Sequence, residues 1–168
     1  MTSVRRATPD DARAVAEVHV ETWRATYVGV MPQAVLDGLD VEERERAWRE
    51  RTSSEESATF VGEREGRVVG FVSVGPCREA EGTGEVYAIY VLPAAWGTGA
   101  GLALMHAGVA WLAERWTEAV LWVAAQNPRA RRFYQRYGWT PESTRVEEVE
   151  PGVCVPEVRY RLSGLDRL

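Results

Sequence analysis

Apolar positions along this chain recur at two spacings, and each switch between them marks an element. Val4-Arg5-Arg6-Ala7 opens as a short strand, and Thr8-Pro9-Asp10-Asp11 then offers a hydroxyl or carboxylate cap. Ala12, Val15, Ala16, Val18 and Trp23 follow at near-helical intervals, which predicts a helix to about residue 27. Gly29 and Pro32 break it, and residues 33–39 and 41–51 read as two short helices, the second solvated along one charged face. From Thr59 the period is that of strands: residues 60–63, a tight turn at Glu65-Gly66, and residues 68–74 form a hairpin. A polar loop over residues 77–84 leads into a strand over 85–92 that Pro93 ends. Residues 99–114 are a helix, Ala119-Val120-Leu121-Trp122-Val123 an apolar strand, and Asn127-Pro128 the start of a helix that Gly138 stops. Two strands, near 143–149 and 153–162, close the chain around the turn Glu150-Pro151-Gly152.

That order predicts an α/β fold with a mixed sheet. No repeat, linker or low-complexity tract interrupts it, so residues 1–168 are expected to form a single domain. Hydrophobic residues make up 45% and charged residues 27%, which argues against disorder or a coiled coil. No run approaches the ~20 apolar residues of a bilayer span, and the N-terminus lacks a signal-peptide core, so no membrane partner and a cytoplasmic location are expected. The net charge of −5 argues against a nucleic-acid partner, because phosphate binding rests on Lys and Arg. Cys77 and Cys154 have neither CxxC spacing nor a nearby His pair, so no metal site is expected. Serine-hydrolase and HExxH patterns are missing too.

The segment with most chemistry is Val91-Leu92-Pro93-Ala94-Ala95-Trp96-Gly97-Thr98-Gly99-Ala100-Gly101-Leu102, a glycine-rich turn between a strand and a helix. Glycines let backbone N–H groups approach an oxyanion, and the helix N-terminus behind them adds partial positive charge. A P-loop would need Lys and then Ser or Thr after the last glycine, where this chain has Leu102-Ala103. A dinucleotide fold would need GxGxxG after a first strand, whereas Gly97, Gly99 and Gly101 lie past the middle.

This turn, with Val91 and Pro93 ahead of it, resembles the coenzyme loop of the GCN5-related N-acetyltransferase (GNAT) family. Asn127-Pro128-Arg129-Ala130-Arg131-Arg132-Phe133-Tyr134-Gln135-Arg136-Tyr137-Gly138-Trp139 is similar to that family's Asn-x-x-Ala-x-x-x-Tyr-x-x-x-Gly-Phe element. One departure stands out: Trp96 occupies the place where the family usually has Arg or Gln. The resemblance implies a mostly antiparallel sheet flanked by helices and transfer of an acetyl group from acetyl-coenzyme A to an amine. The acceptor is then a small-molecule amine or a protein or peptide amine, with a homodimer left open.

The same resemblance implies the site. Ile89, Tyr90, Val91, Trp96, Gly97, Thr98, Gly99, Ala100, Gly101 and Asn127 would bind the coenzyme. Tyr134 would protonate the departing thiolate, and the base would be Glu85, at the start of the strand that presents the thioester and acting through water, or ordered water alone. Trp23 and Tyr27, with His19 and Glu21 nearby, would border the acceptor pocket. The rival readings are a non-catalytic acyl-coenzyme A binding or sensing domain, and an interaction module built on the seven Trp residues.

Overall fold

In the computed structural model, which describes residues 1–168, β1 (Ser3–Arg6) leads through one 3-10 turn into α1 (Ala12–Tyr27), α2 (Gln33–Asp37) and α3 (Val41–Thr52). Then follow β2 (Ala58–Arg64), β3 (Arg67–Pro76), β4 (Gly84–Val91), α4 (Ala100–Ala113), β5 (Glu118–Ala124), α5 (Pro128–Tyr137), β6 (Thr140–Glu150) and β7 (Val153–Ser163). The β2–β3 hairpin turns on Glu65 and Gly66 with φ of 52° and 76°, the two left-handed positions that a two-residue turn needs to match strand twist. Asp40 caps α3 by accepting from the amides of Glu42 and Glu43, and Asn127 caps α5 by accepting from Ala130.

The seven strands form one sheet in the order β1-β2-β3-β4-β5-β7-β6, antiparallel at every neighbour except β4–β5. Helix α4 buries Leu104, Met105, Val109 and Leu112 on one face, against Val72, Val74, Val86 and Leu121. On the other face α1 and α3 bury Val15, Ala16, Val18 and Trp48 against Val61 and Phe71. The sheet is thus a mixed, mostly antiparallel layer between helices, as the resemblance implied.

The parallel pair is the feature that makes a site. β4 and β5 pair only over Gly84–Val86 and Ala119–Leu121. Beyond that point β5 stays with β7, pairing Trp122 with Arg159 and Ala124 with Glu157, while β4 stays with β3. On β4 the register steps from Val86 opposite Val74 to Ala88 opposite Ser73, which leaves Tyr87 as the extra residue of a β-bulge. A bulge bends its strand and increases local twist, so β4 turns away from β5 where their pairing ends. Residues 87–91 therefore have no partner on that edge. At the closed end Gly84 permits tight packing, since a Cβ there would lie 2.7 Å from Leu112 Cδ2 and 2.9 Å from Trp116 Cε3.

Candidate active site

The wedge between β4 and β5 opens into a cavity of about 820 Å³ that runs from the glycine-rich turn to the C-terminal end of α1. Of the coenzyme residues expected from the sequence, Ile89, Tyr90, Val91, Trp96, Gly97, Gly99, Gly101 and Asn127 line it, as do Tyr134, Glu85, Trp23 and Tyr27. Thr98 and Ala100 do not. The Thr98 hydroxyl donates to the Ala95 carbonyl at 2.6 Å and accepts from the Ala100 amide at 3.4 Å, so it braces the turn, and Ala100 is buried as the first residue of α4.

At the turn, Gly97 and Gly99 have φ of 74° and 87°, and no atom lies within 4 Å of where their Cβ atoms would stand. Backbone here is both left-handed and open to an approaching ligand, at the N-terminus of a helix whose first N–H groups lack intrahelical acceptors. Trp96 is held by its indole N–H, which donates to the Val91 carbonyl at 2.8 Å. Its ring is covered by Arg129, whose Cζ lies 3.4 Å from the ring centroid. Arg129 has no carboxylate partner and its pKa is lowered by burial alone. A cation therefore does stand at this turn, supplied by α5 rather than by the turn itself. Arg136, about two turns further along the same face of α5, also lines the cavity.

Tyr134 is 7% exposed, with its ring 5.6 Å from Phe133 and 6.0 Å from Tyr160. Burial pushes its phenol well above the usual range, with the nearby Tyr90 and Tyr160 adding to the shift, so the hydroxyl stays protonated and can donate. Glu85 is 2% exposed, and Arg78 occupies it from three sides. The guanidinium reaches Oε2 at 2.5 and 3.2 Å, and the Arg78 backbone N–H donates to Oε1 at 3.1 Å. The carboxylate therefore lies on the cavity wall with its lone pairs largely committed.

The far end is aromatic. Trp23 and Tyr27 meet edge to face at 5.1 Å, and His19 stacks on Tyr90 at 5.4 Å while accepting from the Trp48 indole at 3.2 Å. The Tyr27 and Tyr90 phenols are raised chiefly by burial, and the negative charge of Glu157 raises both further. The Trp23 indole N–H lies near the Tyr90 hydroxyl without reaching hydrogen-bond geometry, and the Thr22 hydroxyl is likewise buried without a partner. His19 packs behind this wall and does not line the cavity. The sequence reading did not single out Arg78, Arg129, Arg136, Arg145 or Glu157, all of which line it. Arg129 and Arg136 fall inside the quoted motif, but only the fold shows what they face.

The profile of the acetyltransferase (GNAT) family matches residues 16–139. The uncharacterized N-acetyltransferase YuaI of Bacillus subtilis is 39% identical over 163 residues, which span 94% of this chain and 91% of that protein. Among solved structures, yncA of Salmonella typhimurium, a protein described as an acetyltransferase with its cofactor acetyl-CoA, is 25% identical with a TM-score of 0.74, covering 99% of this chain and 95% of that one. The paiA N-acetyltransferase of Thermoplasma acidophilum in complex with coenzyme A shares the fold at 18% identity and a TM-score of 0.73, covering 94% of this chain and 98% of that one.

Proposed function

Because the chain belongs to the acetyltransferase (GNAT) family, we propose that it transfers the acetyl group of acetyl-coenzyme A directly to an amine, carried by a small molecule or by a protein or peptide. The observation that carries this reading is the open wedge between β4 and β5, with the glycine turn at one end and the Tyr134 phenol facing it from α5.

The residues present suit such a co-substrate. The open amides of the turn and the unpaired guanidinium of Arg129 answer phosphate charge, and the unpaired edge of β4 answers amide groups between phosphate and sulfur. The bound coenzyme supplies an activated acetyl thioester. The chain's own part is to hold it along β4, to polarise its carbonyl through backbone N–H near Tyr90, and to exclude water from the wedge. Tyr134 donates a hydrogen bond, and finally a proton, to sulfur. Asn127 holds the start of α5 so that Tyr134 faces the wedge. Glu85 fixes Arg78 and the loop before β4 at the cavity wall, and it serves as a proton acceptor only through water or after Arg78 moves.

The test is release of free thiol from acetyl-coenzyme A in the presence of an amine panel, beside calorimetric titration with coenzyme A. All 20 cationic side chains are arginine and the chain has no lysine, so acetylation of its own side-chain amines does not contribute to the signal. Gly99→Glu places a carboxylate in the anion site and should abolish binding. Binding without turnover of any amine would favour a coenzyme-sensing domain, and no binding at all would remove the proposal.

A further inference from the structure

We propose, resting on the transfer reading above, that Glu157 receives the amine at the acceptor end of the cavity and takes its proton, and that the acceptor is a cationic amine. The strand pattern gives Glu157 its direction. Along β7, Val158, Tyr160 and Leu162 enter the core shared with α4, so Val155 and Glu157 turn to the opposite face. There Val155 packs with Val20, Met31 and Leu36, beneath α1 and α2. Glu157 pairs with Ala124, the last residue of β5, past the point where β4 and β5 part. The carboxylate thus borders the wedge on the α1 side, while Tyr134 borders it from α5.

Glu157 differs from Glu85 in what it has left to offer. Its Oε1 accepts from Arg145 Nε at 3.0 Å, while Oε2 has no hydrogen-bond partner, and the side chain is 16% exposed. The groups around it are Arg145 and Glu147 on β6, Glu79 on the loop before β4, Tyr27 on α1 and Tyr90 on β4. Arg145 is the one cation in contact with three carboxylates, Glu79, Glu147 and Glu157, and Arg44, which acts on Tyr90 from α3, is paired with Glu150 at 3.7 Å, so carboxylates outnumber cations at this end. Arg78 is already spent on Glu85. Aromatic faces of Trp23 and Tyr27 close the same end, which suits an ammonium group, and the unpartnered Thr22 hydroxyl, on a residue 5% exposed, is available to a polar neighbour.

The steps balance without another reactant. The ammonium gives one proton to Glu157, which passes it to solvent. The nitrogen lone pair then forms the C–N bond as the C–S bond breaks, and the electron pair leaves on sulfur. Tyr134 protonates the sulfur and regains a proton from the second N–H.

The experiment compares the parent, Glu157→Gln, Glu157→Asp and Glu85→Gln across pH 6.5 to 10, using alkyl diamines, zwitterionic amino acids and uncharged aromatic amines. Glutamine still accepts from Arg145, and thermal melts check that each variant folds. The expected result is preference for diamines, and a fall in kcat of about 100-fold at neutral pH in Glu157→Gln, the low end of general-base effects. That loss should shrink toward high pH, where the amine is already free, with coenzyme affinity unchanged and partial rescue in Glu157→Asp. Glu85→Gln, whose carboxylate is engaged by Arg78, should lose less turnover at neutral pH than Glu157→Gln. A Glu157→Gln profile parallel to the parent's, or an effect on KM alone, overturns the inference. A parent that acetylates only zwitterionic or uncharged amines overturns it while leaving transfer intact, and a parent that binds no coenzyme A overturns both readings.

Discussion

Replacing Arg129 by Gln tests whether the cation missing at position 96 has been restored from α5. In the folded chain this guanidinium spends no donor on a carboxylate and stands over the Trp96 ring, next to the open turn at Gly97 and Gly99. Charge-assisted hydrogen bonds contribute about 1.5–3 kcal/mol each. Arg129 is exposed, so the lower figure applies, and at about 1.4 kcal/mol per decade the coenzyme dissociation constant should rise roughly tenfold. Lost stability should be small: an exposed cation–π contact is worth about 0.5–1 kcal/mol, and at about 2–4 °C per kcal/mol for a chain of this size Tm should fall by no more than about 4 °C. The Trp96 indole keeps its bond to Val91, so the turn itself should survive. Calorimetric titration with coenzyme A at several salt concentrations reads both the affinity and its salt slope, which should flatten as one phosphate contact is lost. Arg129→Lys, which keeps charge but loses the forked guanidinium donors, should fall between the two. An affinity within twofold of the parent with the same salt slope would refute the compensation.

Tyr134→Phe should lower kcat by about 10²-fold, the low end for general-acid help, with coenzyme affinity and Tm nearly unchanged because the phenol has no hydrogen bond in the fold to lose; equal turnover at saturating substrate would make it a packing residue. Gly84→Ala forces a methyl against Leu112 and Trp116, and such overpacking costs about 1–3 kcal/mol, read as a lower urea midpoint at unchanged slope; an unmoved midpoint would mean the closed end of the wedge yields easily. His19 has its pKa lowered from 6.5 to about 3, first by burial and then by Arg44 and Arg51. The unfolded chain therefore takes up a proton there that the folded one refuses, and stability present above pH 6.5 is lost as the pH falls toward 3. His19→Gln should remove that share, about 2 kcal/mol of the parent's loss between pH 7 and 4.5 by linkage, and parallel stability curves would count against a neutral buried imidazole.

Local signals were enough for the elements. Periodicity of two or about 3.6, Gly66 and Gly138 at stops, and Asn127-Pro128 at a helix start act within a few residues, and the elements lie within two residues of their expected ends except β6, which begins at Thr140, three residues before the expected start. The glycine turn was legible for the same reason, since left-handed backbone at Gly97 and Gly99 is a property of glycine itself. What each charge would meet was not legible. Glu85 reads as a free strand-end carboxylate, yet the loop before β4 folds Arg78 back onto it; Trp96 reads as a lost cation, yet α5 returns one in Arg129. Glu157 reads as one more acid in a polar hairpin, and only the β5–β7 register and the parting of β4 from β5 bring it to the cavity. A side chain's chemistry depends on its partners in space, and those partners come from strand pairing between distant segments, which no local pattern in the chain encodes.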